Sequence, residues 1–393
     1  MIYRKAPRGA GCLPCTQPQS HAAATESLYH PPARFANRPA RMGHPSDAFF
    51  ILWGRVAHRC RQRPNTCLFT YATVRRPAGF RCAAKTAAYA WAGRFGRSMP
   101  LFTDITFAVV GGDLRQAHLA GLLAADGLSV LTVGFEREVP ISSDVLHVKS
   151  AAEAVSRALC VILPLPFSVD GANVNAPFSR APIPLRTIWD AAGNGTLVTG
   201  GMLRPDVFQA AETRGFTAVD YYAREEMAVR NTVPTVEGAL QIAFEELPFT
   251  LHGARCLVLG FGRVGRTLCR ALRGLGADVT GCARSYDDLA WVQTLDCAPL
   301  RLEKLAGSAG TFDVVFNTIP ALILTDDILA RLKKGSLVID LASKPGGVDF
   351  NAAKRLGVKT VWALSLPGKV APQTAGQIIK DTVLHILEEE GLS

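Results

Sequence analysis

Long apolar runs are missing from this 393-residue chain. The longest, such as Leu159 to Pro166, fall far short of the roughly 20 residues that a membrane-spanning helix needs, so the sequence predicts a soluble protein with no membrane partner. Histidine is scarce. Of eight in the chain, none lies between Gly253 and Ile379, which leaves that stretch without the commonest general base. Metal-ligand spacing is lacking as well: Cys12 and Cys15 form one CxxC pair, but the nearest histidine is His21 and no second pair follows, so no metal site is expected. Cys160, Cys256, Cys269, Cys282 and Cys297 sit inside apolar runs at irregular spacing, as buried small hydrophobes of a reducing compartment would. With no secretory signal, the expected address is the cytoplasm.

Acidic residues are nearly absent from the first 99 positions, where 16 Lys and Arg face only Glu26 and Asp47. That leaves 27 of the 43 basic residues against 31 of the 33 acidic ones, so the remainder of the chain is mildly acidic and the overall charge of +10 is misleading. A nucleic-acid partner is therefore not expected. The same stretch carries nine prolines and no sustained period of 3.6 or 2. Residues 1–98 are read as a disordered or mis-assigned extension, with translation expected to begin near Met99.

Beyond residue 104, short apolar runs alternate with helical stretches, the pattern of a parallel sheet covered on both faces. Strands are predicted at Ile105–Val110, Ser129–Val133, Cys160–Pro164, Thr196–Thr199 and Thr217–Asp220, with helices at Leu114–Asp126, Ala151–Ala158 and Pro205–Thr213. After Gly253 the pattern repeats, with strands at Arg255–Leu259, Asp278–Cys282, Asp313–Asn317, Leu337–Leu341 and Lys359–Ala363. The fold class is α/β: two doubly wound Rossmann-like domains joined by a bridging helix, as in two-domain NAD(P)-dependent dehydrogenases. Residues 99–230 are assigned to a substrate domain, 231–252 to a bridging helix starting after Pro234-Thr235, 253–371 to a nucleotide domain and 372–393 to a closing helix. That last helix, with its stripe of Ile378, Ile379, Val383, Ile386 and Leu387, is expected to pack on the first domain or the bridge.

The strand at Arg255–Leu259 runs into Gly260-Phe261-Gly262-Arg263-Val264-Gly265, and a helix follows. In this setting the three glycines supply a tight turn, close approach to a pyrophosphate and close helix packing, so these six residues are assigned to cofactor binding. The end of the next strand selects the cofactor. Arg284 and Ser285 there favour a 2′-phosphate and hence NADP; Asp287 and Asp288 follow closely enough to leave NAD open. Asn317, Thr318 and Pro320 end the next strand and are assigned to the ribose and nicotinamide, while Ser343, Lys344 and Gly346 would face the substrate. In the first half, Gly111-Gly-Asp-Leu-Arg-Gln116 is a glycine turn without the third glycine, expected to aim Arg115 and Gln116 at the crevice to hold a carboxylate, with Asp113 as a helix cap.

These segments, with Asn231-Thr-Val-Pro-Thr-Val-Glu-Gly238, Ile339-Asp-Leu-Ala-Ser-Lys-Pro-Gly-Gly347 and Leu366-Pro-Gly-Lys-Val-Ala-Pro-Gln-Thr-Ala-Gly376, resemble the family of dipicolinate synthase A subunits over about residues 101–390. The resemblance implies oxidation of a dihydrodipicolinate-type intermediate of the lysine pathway to pyridine-2,6-dicarboxylate during sporulation, in the mother-cell cytoplasm of a spore former. It also implies a flavoprotein-like partner, the B subunit of dipicolinate synthase, with homo-oligomers inside a hetero-complex. A dianionic small-molecule dicarboxylate calls for donors, and Arg115, Lys344, Asn231 and Thr235 are the candidates, with Glu237 or Lys344 taking the ring proton. Glu237 is equally readable as a first-turn charge on its helix.

Three other readings compete. A D-2-hydroxyacid dehydrogenase needs a catalytic histidine that the nucleotide half lacks. A shikimate-dehydrogenase-type reductase needs a lysine and aspartate pair in the first domain, where Lys149 is the only lysine. A nucleotide-sensing subunit would bind cofactor without turnover.

Overall fold

The computed structural model describes residues 102, 105–137 and 139–392; the reading of residues 1–98 and their Cys12 and Cys15 lies outside the described residues. The first half runs β1 (Thr106–Val110), α1 (Leu114–Ala125), β2 (Ser129–Val133), β3 (Leu146–His147), α2 (Ala151–Ser156), β4 (Cys160–Ile162), α3 (Leu185–Ala191), β5 (Leu197–Gly200), α4 (Pro205–Arg214) and β6 (Thr217–Asp220). Two helices follow, α5 (Glu225–Arg230) and α6 (Thr232–Glu246). The second half runs β7 (Arg255–Leu259), α7 (Arg263–Gly274), β8 (Asp278–Ala283), α8 (Tyr286–Thr294), β9 (Ala298–Arg301), α9 (Leu305–Ser308), β10 (Val314–Asn317), α10 (Asp326–Ala330), β11 (Leu337–Asp340), α11 (Phe350–Leu356) and β12 (Lys359–Trp362). It closes with α12 (Leu366–Val370) and α13 (Pro372–Glu389).

All strand pairs are parallel, in two six-stranded sheets ordered β3-β2-β1-β4-β5-β6 and β12-β11-β10-β7-β8-β9. Counted within each half, both are the dinucleotide-fold order 3-2-1-4-5-6. The strand order reverses between β1 and β4 and again between β7 and β10, and at such points the loops leaving the carboxyl ends diverge and leave a crevice.

Apolar strands hold each sheet because both faces are covered. Phe107, Val109 and Ile162 face one core of the first sheet, and Ala108, Val110 and Val161 face the other. The C-terminal helix completes the first of these: Ile379, Val383 and Leu387 of α13 pack with Leu119 and Leu123 of α1, all fully buried. Each such side chain contributes about 1.5–3 kcal/mol. Meanwhile α6 and α12 pack together on the second sheet, where Val236, Ala239 and Leu366 join the core. The chain thus passes between its halves at Asn231, between α5 and α6, and at Ala371, between α12 and α13.

Two features differ from the sequence expectation. The edge strands β3 and β9 were not among the predicted strands: one has two residues, and the other carries Pro299, which an edge tolerates. The bridging helix starts at Thr232 and not after Thr235, because Pro234 falls in its first turn, where the missing N–H costs no intrahelical bond. The five cysteines beyond residue 99 are buried and free, and burial pushes the Cys256 and Cys282 thiols up to about 12. Among the described residues, no helix is long and apolar enough to cross a membrane and no group of His, Cys, Asp and Glu side chains is placed to hold a metal.

At the foot of the second sheet, Asp313 joins β7 to β10 by accepting from the Arg255 N–H at 2.8 Å and from Lys333. Burial raises this carboxyl, but Lys333 and the Arg255 N–H outweigh burial and hold it below its ordinary range. Its stabilising contribution is therefore present above the unfolded value of about 4 and is lost as pH falls through the depressed folded value. Asp313→Asn is expected to lower stability by about 1 kcal/mol near neutrality, with the deficit shrinking by about pH 3. Thermal unfolding at the two pH values checks this; an equal deficit at both contradicts it.

Candidate active site

A cleft of about 960 Å³ lies at both switch points, with walls from both sheets. On the second-domain side, β7 ends in a turn in which Gly260 (φ +91°) donates its N–H to the Cys282 carbonyl at 2.9 Å. A Cβ on Gly265 would stand 2.1 Å from the Gly260 carbonyl oxygen, so only glycine lets α7 come this close. At Gly262 the opposite holds: a Cβ would meet nothing within 4 Å, and this empty direction opens beside the N-terminus of α7, which no side chain caps. Phe261, Arg263 and Val264 line the cleft with it. Free backbone donors, a positive helix end and a missing side chain make a cradle for a pyrophosphate, so the residues present fit a nicotinamide dinucleotide.

At the end of β8, Arg284 is exposed on the cleft wall and makes no ion pair or side-chain hydrogen bond among the described residues. Ser285, expected to donate to a phosphate, instead donates its hydroxyl to Asp288 at 2.9 Å and accepts from the Asp288 N–H as the cap of α8. The other Asp288 oxygen accepts from Arg266 at 3.2 Å, whose guanidinium lies over the Phe261 and Trp291 rings. Asp288, the acid of this segment that lines the cleft, therefore has both oxygens engaged. Asp287 is exposed and outside the cleft lining.

Thr318 and Pro320 line the cleft, although the Thr318 hydroxyl is spent on the Leu259 carbonyl at 2.8 Å. Asn317 does not reach it. Its side chain is fully buried, donating to the Ile319 carbonyl at 3.0 Å and to Asp340 at 2.8 Å while accepting from the Ile319 N–H. The expectation of a direct cofactor contact is corrected: this amide has turned beneath the turn and wires two strand ends together.

Lys344 stands exposed on the cleft wall, in the loop leaving β11, with no partner among the described residues. From the first domain comes Arg115 of α1, which lines the same cleft and is 8% exposed. Its Nε and one Nη grip Asp113 at 2.9 and 2.7 Å, that Nη also donates to the Leu165 carbonyl at 2.5 Å, and the second Nη has no partner among the described residues. Burial works against the cation, but Asp113 outweighs burial and keeps the pKa above its ordinary value. Asp113 is also the α1 cap. Gln116 is corrected: it is fully buried, 3.5 Å from the Tyr221 hydroxyl, and does not face the cleft. In the first-domain glycine turn, the Gly112 N–H is taken by the Asn175 carbonyl at 2.9 Å and is not free to hold a phosphate.

Asn231 and Thr235 line the cleft at the helix junction. Asn231 Oδ1 is buried without a partner among the described residues, whereas the Thr235 hydroxyl donates to the Asn231 carbonyl at 2.7 Å and has no proton to offer a carboxylate. Glu237 is corrected most fully. It is exposed and outside the cleft, because a helix beginning at Thr232 places it on the solvent face with Val233 and Phe244. Met202 and Tyr222 also line the cleft and were missed. Both follow the carboxyl ends of strands, β5 and β6, which is the one signal that marked them. No histidine is among the lining residues.

Comparison with known proteins agrees with both halves. Residues 106–222 match the family model described as the N-terminal domain of the dipicolinate synthase A subunit, and residues 226–348 match the NAD binding domain of D-isomer specific 2-hydroxyacid dehydrogenases. A dipicolinate synthase A subunit of Bacillus subtilis is 31% identical over 290 residues, covering 74% of this chain and 98% of that protein. The crystal structure of the A subunit from Bacillus halodurans, 33% identical, superposes with a TM-score of 0.67 over 73% of this chain and 99% of its own. That of the Bacillus subtilis A subunit, 31% identical, gives 0.66 over 72% and 96%.

Proposed function

Because the chain belongs to the family of dipicolinate synthase A subunits, we propose that it oxidises a dihydrodipicolinate-type dianion to pyridine-2,6-dicarboxylate, with NADP+ as acceptor and a B subunit for partner. The observation that carries this reading is that two cations, Arg115 from the first domain and Lys344 from the second, line the same cleft as the cradle at Gly262. A dicarboxylate has one anionic group for each. When bound, the nicotinamide supplies a two-electron acceptor for the hydrogen leaving the ring carbon. The dihydro ring loses that hydride and one proton and becomes aromatic, so the ring's own gain drives the step and the protein has mainly to orient.

In this reading, Arg115 holds one carboxylate through its free Nη, its other donors fixed by Asp113 and Leu165 so that little side-chain freedom remains to be lost. Lys344 holds the second carboxylate from the other domain. With Glu237 outside the cleft, the ring proton leaves to solvent at the exposed rim of Ser343 and Lys344. The lack of a histidine among the lining residues argues against a hydroxyacid-dehydrogenase reaction, which needs a base at the alcohol.

NADP is favoured over NAD by the free Arg284 and the fully occupied Asp288, which leaves a ribose 2′-hydroxyl without its acid. Arg284→Ala is expected to weaken NADP+ binding by about tenfold, roughly the worth of one charge-assisted contact, and to leave NAD+ binding unchanged. Fluorescence titration with both cofactors checks it; equal effects on the two contradict it.

The reaction itself is tested with the full chain, alone and with a B subunit, given NADP+ or NAD+ and dihydrodipicolinate made in situ while pyridine dicarboxylate absorbance is followed. Product formed faster with NADP+ is expected. Cofactor binding without product in the presence of the partner contradicts the substrate assignment and favours a nucleotide-sensing role.

A further inference from the structure

Lys344 has a long side chain, no partner among the described residues and an exposed position, so its place in the cleft is set by its backbone alone. That backbone is a tight turn in which the Gly346 N–H donates to the Ser343 carbonyl at 2.9 Å, with Lys344 and Pro345 at its tip. Both feet of the turn stand on one carboxylate. Asp340, 1% exposed at the end of β11, accepts from the Ala342 N–H at 3.1 Å on Oδ1 and from the Gly347 N–H at 2.8 Å on Oδ2. A third donor, Asn317 Nδ2, reaches Oδ1 at 2.8 Å from the neighbouring strand. The Ala342 carbonyl is held in turn by Trp362 Nε1 at 3.1 Å. Gly346 has φ +87° and presses against the same carboxylate, where a Cβ would stand 2.9 Å from Oδ2.

Three converging donors are the pattern of a carboxylate used only as an acceptor. No cation pairs with it among the described residues. A buried carboxylate without a cation is an expensive way to end a strand. Here every one of its contacts is a donor of the Lys344 loop or the amide that braces it.

We propose that Asp340, with Asn317 as its brace, is the positioning residue of the reaction: it holds the Ala342–Gly347 loop so that Lys344 meets the second carboxylate of the dianion. The inference rests on the assignment of Lys344 above and goes beyond it. Asp340 touches neither substrate nor cofactor, and its effect passes through Lys344.

A double-mutant cycle on the full chain with its partner subunit tests this. Asp340→Asn, which turns one acceptor oxygen into a donor facing other donors, is expected to raise KM for the dianion and to lower kcat/KM by about tenfold to a hundredfold, the range for displacing a group by about an ångström. Its Kd for NADP+ should stay unchanged. In the Lys344→Ala background the same substitution is expected to have no further effect on kcat/KM. An equal fold-loss in both backgrounds overturns the positioning role, since a merely structural residue acts whether or not Lys344 is present. Should Asp340→Asn fail to fold, Asn317→Ala, which keeps the carboxylate and both backbone bonds, takes its place in the cycle with the same two outcomes. If Lys344→Ala alone turns over like the unaltered chain, the assignment of Lys344 has failed and the proposal falls with it. If Lys344→Ala is impaired and the losses multiply, only the positioning role has failed.

Discussion

Lys344→Ala is expected to lower kcat/KM for the dianion by roughly 30- to 150-fold, the loss of about 2–3 kcal/mol for a charge-assisted contact to a bound carboxylate. Cofactor affinity should be unchanged, because the cradle at Gly262 and the wall at Arg284 belong to other loops of the same sheet edge. Steady-state kinetics together with a cofactor titration separate the two effects. The fold should survive, since the side chain is exposed and makes no hydrogen bond among the described residues. Unchanged turnover, or an equal loss in cofactor affinity, contradicts the assignment.

The second large effect is expected on the other side of the cleft. Gly262→Val should weaken the dinucleotide by about 100-fold or more, near 3 kcal/mol, because the branched side chain would stand where the pyrophosphate meets the N-terminus of α7. Since a Cβ there meets nothing within 4 Å and the backbone φ is −75°, the fold is expected to accept the side chain. A melting temperature close to that of the unaltered chain, with cofactor binding lost in calorimetry, is the expected pair of results. Retained binding would place the pyrophosphate elsewhere.

These effects divide by what a sequence can encode locally. The strands at Ser129–Val133, Thr217–Asp220 and Arg255–Leu259 have the bounds their apolar runs predict, and the glycine turn follows β7 as its spacing requires. Central strands are buried on both faces, however, so their runs carry no period that tells which way a side chain points. That is why Asn317, at the end of the central strand β10, reads as a cleft residue while its amide is turned onto Asp340. Glu237 fails for a different reason. Moving a helix start by a few residues leaves its apolar stripe unchanged but decides whether a given charge lies in the first turn or on an outer face. Hydroxyls are the least legible. Thr235, Ser285 and Thr318 all line the cleft as expected, yet each donates its proton to the protein itself. The Thr235 and Ser285 bonds are local and depend on backbone angles, while the Thr318 bond crosses from the end of β10 to the end of β7, and neighbouring residues announce neither kind. Arg115 and Lys344 line the cleft as expected, Arg115 with one Nη left over after its local pair with Asp113 and Lys344 with no partner among the described residues.

In the proposed reading the two domains form one oxidation site, with the dianion between Arg115 and Lys344 and the cofactor on the glycine cradle. A crystal structure of the chain with NADP+ and pyridine-2,6-dicarboxylate tests it most directly. One carboxylate within hydrogen-bond distance of the free Arg115 Nη, the other on Lys344 Nζ, and the ring against the nicotinamide is the expected result. A dicarboxylate bound away from either cation, or a pyrophosphate away from Gly262, contradicts it.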